Sequence, residues 1–360
     1  MKGVGDSDLE RRVARALGME CGLEFGRGSA ALHALFAGLA RRHGPGEVVV
    51  PAICCETVAL AAFYAGHDVR IVDVSPESLC LTPSTVEAVL SHRTRAVLVV
   101  HIFGVDANTS SFAALRAQRP DVVFIEDIAH AVGGHTEDGG LLGHGLDFTL
   151  LSFARDKILP GKGGMLLTSD GATLVDVASA TPANGPSVRH DGLALSLRNV
   201  VHSLADRWRL DQGADTAPAF GEVVAGYRDL IAYGGTVADA KAIEDALPNL
   251  EATRLRRLAR HRRYQSGISV DRARFVPLND GSMCWRSTVL FDSPSLARRA
   301  TAALRAGGVH ASNHFFPLSK LFGGCCPVAE HVASRVLNLW VSDDSGDEMV
   351  GRGIDIINAE

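Results

Sequence analysis

Six short runs rich in valine, isoleucine and leucine, at 47–52, 69–74, 95–102, 122–126, 147–153 and 164–168, constrain this chain more than any other feature. A strand that is apolar on both faces must be covered on both faces, so these runs predict a parallel or mixed sheet flanked by helices. The segments between them carry helical periodicity. In 30–42, Leu32, Leu35, Phe36 and Leu39 share one face, and Ser29 stands where a helix takes its N-cap.

The rest of the chain completes an α/β outline. Residues 1–25 predict a helix centred on 9–17 and then a connector. Residues 170–235 are less regular: a loop around 181–186 precedes an amphipathic helix carrying Leu193, Leu197, Val200, Leu204 and Trp208. A long helix from about 237 to 264, bent or broken at Pro248, leads to strand 283–291, helix 294–306, strands 309–316 and 336–341, and a terminal helix from Asp347. At 360 residues the chain exceeds one ordinary core, and the expected division is a large domain, 1–248, and a smaller α+β domain, 249–360.

Composition excludes several functions. The net charge is −5 and the basic residues are scattered, so nucleic acid is not an expected partner. The arginines within 254–263 read as a solvated helix face rather than a binding patch. The N-terminus lacks the apolar core of a signal peptide, and no later run is long enough to cross a bilayer, so a cytoplasmic protein without a membrane partner is expected. Seven cysteines, with Cys54-Cys55 and Cys325-Cys326 adjacent, lack C-x-x-C spacing and read as reduced thiols. The histidines are dispersed, and no metal is expected.

The chemistry concentrates at 148–164. A strand ending at Ser152 and Phe153 runs into Lys157, and Pro160 and Gly161 forbid a helix directly after it. Lys157 thus lies in a loop at a strand end, either as a solvated loop lysine or as a reactive amine. Upstream, Gly28, Ser29 and Ala30 open a helix, where backbone N–H groups and a positive field suit a phosphate; Ser29 and Ser152 add hydroxyl donors. Asp127 closes a strand, either as an N-cap or core-satisfying acid or as a carboxylate that would keep a cofactor's ring nitrogen protonated. A phosphate cradle, an acid and a lysine together describe a pyridoxal phosphate site.

The text Gly28-Ser-Ala-Ala-Leu32, Glu47-Val-Val-Val-Pro51, Val100-His-Ile-Phe-Gly104, Glu126-Asp-Ile-Ala-His-Ala131, Ser152-Phe153 with Lys157, and Gly163-Gly-Met165 resembles the DegT/DnrJ/StrS family of nucleotide-sugar aminotransferases. Weaker matches at Phe315-Phe-Pro-Leu318 and Val336-Leu-Asn-Leu339 extend the likeness over nearly the whole chain. The resemblance implies the fold-type-I architecture, a mixed, mainly parallel sheet of the seven-stranded type with a smaller C-terminal α+β domain, assembled as a homodimer. It also implies pyridoxal 5'-phosphate joined to Lys157, with Asp127 against its ring nitrogen. Ala129 and His130 would line the ring and its 3-hydroxyl, although a histidine there is equally suited to the core. An amino acid, expected to be L-glutamate, would donate the amino group, and a keto-sugar would receive it.

Three departures bear on the acceptor. The family's stacking aromatic after its second motif is replaced, with Cys55 in its place; its Asn-Tyr-Arg-Met stretch becomes Tyr233-Gly-Gly-Thr-Val237; and its basic pair before Tyr-Phe-Tyr-Pro becomes Ser312-Asn313, ahead of the substrate-region residues His314 and Phe315. The first expectation is a nucleotide-linked keto-deoxysugar acceptor. The alternatives are a non-nucleotide acceptor such as an aminocyclitol, and a non-catalytic relative.

Overall fold

The computed structural model describes residues 7–180, 191–232, 234–269 and 273–360. All six expected runs become strands: β2 (Glu47–Pro51), β3 (Asp68–Val72), β4 (Thr94–Val100), β5 (Val123–Asp127), β6 (Phe148–Ser152) and β7 (Gly164–Thr168). A seventh, β1 (Cys21–Phe25), lies where only a connector was expected. The order is β1-β7-β6-β5-β4-β2-β3. The β3-β2-β4-β5-β6 neighbours are parallel, whereas β7 runs antiparallel to both β6 and β1. Chain order reverses direction between β2 and β4, and in such sheets the crevice beyond the strands' carboxyl ends at the reversal is where ligands bind.

Glycine decides how closely one element meets that sheet. A Cβ on Gly164 would lie 2.4 Å from Gly28 N, so β7 admits the start of helix Gly28–His43 only because it has no side chain there. That helix begins one residue earlier than expected. Its N-cap is Arg27, and Ser29 sits inside the first turn rather than capping it.

A second sheet, ordered β10-β11-β9-β8, is antiparallel and comprises β8 (Ala273–Phe275), β9 (Ser287–Phe291), β10 (Ala311–Ser312) and β11 (Val336–Leu339). The expected strands 283–291 and 309–316 are shorter because 283–286 and 313–317 are irregular segments. Helices Pro294–Ala306 and Gly346–Ala359 agree with expectation. The long helix does break at Pro248: a helix ends at Ala246, a 3₁₀ turn spans Leu247–Asn249, and helix Leu250–Gly267 follows. Its arginines correct the solvated-face expectation. Arg254 and Arg257 are buried, and Arg256 and Arg260 pair with Asp343.

Between the sheets, helix Asp191–Leu210 takes the expected amphipathic stretch, and helix Ala217–Ile231 follows in a region that showed little regularity. The expected loop at 181–186 lies outside the described residues. Tyr227 on the second helix donates toward Glu56 Oε1 and Leu197 O, each at 3.2 Å, which ties the pair of helices to helix Glu56–Tyr64.

Candidate active site

Three strand ends converge at the carboxyl side of the seven-stranded sheet. Asp127 is the last residue of β5, Ser152 the last of β6, and His101 follows β4. Asp127 is buried, its Oδ1 accepts the Ala129 N–H at 2.9 Å, and its carbonyl accepts the His101 N–H at 3.1 Å. Burial raises its pKa against the opposing pull of the Ala129 N–H, Lys157 and His101. A buried acid in that condition is stabilised by a cationic N–H brought against it.

Lys157 is half-buried. Its Nζ lies 2.6 Å from His130 Nε2 and 4.7 Å from the centroid of the Trp285 ring. His130 stacks on Trp285 with centroids 3.8 Å apart and planes inclined by 4°, and its Nδ1 accepts the Phe103 N–H at 3.2 Å. Phe315 stands 5.8 Å from the His130 ring and closes the aromatic cluster. Gly104 lets this cluster form. Its φ is +92°, and a Cβ there would lie 2.9 Å from the backbone nitrogens of both Cys284 and Trp285.

The start of helix Gly28–His43 faces the end of β6. A Cβ on Gly28 would approach Ser152 Cβ to 3.2 Å and its Oγ to 3.4 Å, so the Ser152 hydroxyl sits beside the helix N-terminus. Gly28 and Ala30 are buried and Ser29 is half-buried. Cys55 is the N-cap of helix Glu56–Tyr64 but makes no side-chain capping hydrogen bond; its Sγ instead lies 3.2 Å from the Thr57 side-chain Oγ1. Burial and then Glu56 push its thiol up to about 12, against the pull of Thr57 and Lys157.

His314 stands with its ring 4.8 Å from that of His202, and burial followed by the His202 charge lowers it to about 3. The two positions where a basic pair was missing are turned inward. Ser312 is buried in β10, and the Asn313 amide donates to Val336 O at 2.7 Å and to Thr301 Oγ1 at 3.0 Å.

These residues fit pyridoxal phosphate. A buried acid ends β5, a half-buried amine follows β6, and helix Gly28–His43 begins beside the Ser152 hydroxyl, a set whose chemistry suits a ring nitrogen, an aldehyde and a phosphate. Sequence reasoning missed Trp285, Phe103 and His202. Trp285 was visible only as one bulky aromatic in a run expected to be plain strand, and nothing local joined it to Lys157.

The sequence matches the DegT/DnrJ/EryC1/StrS aminotransferase family over residues 1–358. It is 26% identical to the UDP-N-acetyl-3-dehydro-alpha-D-glucosamine 3-aminotransferase of Acidithiobacillus ferrooxidans, over 96% of this chain and 85% of that protein. A shorter stretch, 35% of this chain and 30% of the relative, is 36% identical to the L-glutamine:2-deoxy-scyllo-inosose aminotransferase of Micromonospora echinospora. Among solved structures, the aminotransferase TlmJ from Streptoalloteichus hindustanus superposes with a TM-score of 0.75 at 25% identity, covering 98% of this chain and 89% of that one.

Proposed function

We infer the reaction from one premise: the chain belongs to the DegT/DnrJ/EryC1/StrS aminotransferase family. The aminotransferases of this family are dependent on pyridoxal phosphate. This chain holds the cofactor at Lys157 and moves an amino group from an amino acid, L-glutamate in the first instance, to a nucleotide-linked keto-deoxysugar. The observation that carries the reading is the placement of Lys157, whose Nζ lies 2.6 Å from His130 Nε2 and whose loop follows β6, the strand paired with the β5 that ends at the buried Asp127.

When bound, the cofactor supplies an electron-poor ring that takes up the electrons of a broken C–H bond. Asp127 opposes the ring nitrogen and favours its protonated form. The N–H groups at Gly28, Ser29 and Ala30, with the Ser29 and Ser152 hydroxyls, bind the phosphate. Ala129, His130 and Cys55 bound the ring, and the Cys55 thiol, held protonated by burial, offers it a soft apolar contact. Lys157 Nζ would move a proton between the donor's α-carbon and the cofactor's C4′ carbon, so one amine would serve as anchor and as acid and base. His314 and Phe315 border the acceptor. The site is assembled as a homodimer from a large domain, 1–248, and a smaller one, 249–360; the break at Leu247–Asn249 supports that boundary.

A second reading, a non-nucleotide acceptor such as an aminocyclitol, is favoured by the inward turn of Ser312 and Asn313 and by the inosose aminotransferase among the relatives. Transfer from L-glutamate, followed as 2-oxoglutarate release with keto-sugar and inosose acceptors, tests both. Inhibition by nucleoside diphosphates is the outcome expected of the sugar-nucleotide reading; turnover of an inosose untouched by them would replace it with the second. Absence of any half-reaction with an amino acid would remove both.

A further inference from the structure

Arg286, on the irregular segment just before β9, is a buried cation, with only 2% of it exposed. Its Cζ stands 4.1 Å from the centroid of the Trp285 ring and 4.0 Å from that of Trp340, so two indoles hold the guanidinium by its faces. Nη1 donates to Trp285 O at 2.9 Å, its one hydrogen bond among the described residues. Nε is buried without a partner, and Nη2 donates to nothing. These two nitrogens form the edge whose parallel N–H groups meet a carboxylate side-on. Arg257 donates to the same carbonyl at 3.2 Å and brings a second positive charge rather than a counter-ion. Burial lowers the Arg286 pKa to about 10, with Asp156 the strongest opposing charge though in no ion pair with it, so the group stays cationic at neutral pH. A charge so deeply buried is seldom left unpaired. A purely structural role, as a rivet between two indoles, accounts for the faces of the guanidinium and leaves its free edge unexplained.

The same indole ties this edge to the active site. His130 lies flat on Trp285 at 3.8 Å, and a ring and a guanidinium that close to one centroid must take opposite faces. Lys157, with Nζ 2.6 Å from His130 Nε2, is therefore on one side of the indole and Arg286 on the other. The indole N–H edge joins the two sides, and its hydrogen bond at 2.8 Å goes to the carbonyl of Asp156, an exposed residue next to Lys157. The α-carboxylate of an amino acid is one carbon from the reacting nitrogen and stays on the Lys157 side. The side-chain carboxylate of L-glutamate is three carbons away, long enough to pass round that edge. We propose that the free edge of Arg286 binds the side-chain carboxylate of the amino donor and so selects L-glutamate over L-glutamine. The inference rests on the reading of Lys157 as the site of amino transfer. A side-chain amide would offer one acceptor to two N–H groups, set its own N–H groups against them and leave the buried charge unpaired.

Two measurements on the full-length protein decide it. In the half-reaction of the cofactor-loaded protein, the wild type should favour L-glutamate over L-glutamine in kcat/KM, and Arg286→Met should lower that ratio about a hundredfold, the loss expected of a charged hydrogen-bonded pair. Arg286→Lys keeps the charge without the fork and should lower it about tenfold; it decides the same ratio should the methionine variant fail to fold. A wild type that prefers L-glutamine, or a variant that loses both donors equally, overturns the proposal. In the apo-protein, glutarate, a dicarboxylate of the same length without the amine, should change tryptophan fluorescence saturably and bind Arg286→Met about a hundredfold more weakly. No saturable change in the wild type, or equal binding by the variant, overturns it too. If the loaded wild type reacts with no amino acid, the function reading fails instead, and the glutarate titration still judges the Arg286 edge.

Discussion

Glu126 and Asp343 are both carboxylates held below their usual range by basic neighbours, yet they lie in regions that differ in one decisive respect. Glu126, in β5 of the seven-stranded sheet, is fully buried and accepts from His101 Nε2 at 3.0 Å, Gly143 N at 2.7 Å and Gly145 N at 2.9 Å. Burial pushes its pKa up, and those three donors together outweigh burial. Asp343, beside helix Leu250–Gly267, has a side chain 57% exposed and accepts from Arg256 at 2.9 Å and Arg260 at 3.0 Å. Water can replace the arginines of Asp343 at little cost. Nothing can replace the donors of Glu126, so one pair organises a site and the other decorates a surface.

The sheet side should show the largest effects. Lys157→Ala should lower amino transfer at least about a thousandfold and abolish covalent cofactor capture, while the melting temperature of the apo-protein stays near wild type. A variant that still turned over would detach the chemistry from this end of the sheet. Glu126→Ala should cost about 3–5 kcal/mol in chemical denaturation, because it strands a buried histidine and two buried amides. The sign with pH follows from its depressed pKa. Its contribution is present above the ordinary carboxylate pKa of about 4.3 and is lost as pH falls through the lower folded value, so the alanine variant should show a flatter acid limb. A loss below about 1 kcal/mol would erase the contrast with Asp343.

On the proposed role of Asp127 against the ring nitrogen, Asp127→Asn should keep the Ala129 N–H bond and the fold, yet reduce kcat about a hundredfold with a smaller change in donor KM, since only the charge is removed. The smallest effect belongs to the helix side. Asp343→Asn should cost less than about 1 kcal/mol, and molar salt should remove most of that. Asp343 is likewise depressed, by Arg256 first and then Arg260 against burial, so its small contribution also fades as pH falls through its folded pKa.

Legibility followed the same division. The runs at 47–52 through 164–168 appeared as strands because a segment buried on both faces declares itself in its own residues. Asp127 and Lys157 could be placed because each sits where such a run ends. β1 could not: Cys-Gly-Leu-Glu-Phe has no β-branched residue, and it is a strand because β7 offers it an antiparallel edge, Cys21 opposite Thr168 through Phe25 opposite Gly164. The arginines of helix Leu250–Gly267 looked solvated for a similar reason, since what buries Arg257 is the Trp285 segment, whose carbonyl it reaches at 3.2 Å.

By itself, the amino-acid order determined the layered α/β architecture, the lysine and acid at adjoining strand ends, and the glycine that opens the helix beside them. All of these follow from apolar periodicity and turn chemistry, which act over a few residues. Only the tertiary structure decided that Phe103 and Trp285, 182 positions apart, would enclose His130 and set its ring against Lys157. Close packing between distant segments depends on which surfaces the folded sheet brings together, and no local pattern encodes that meeting.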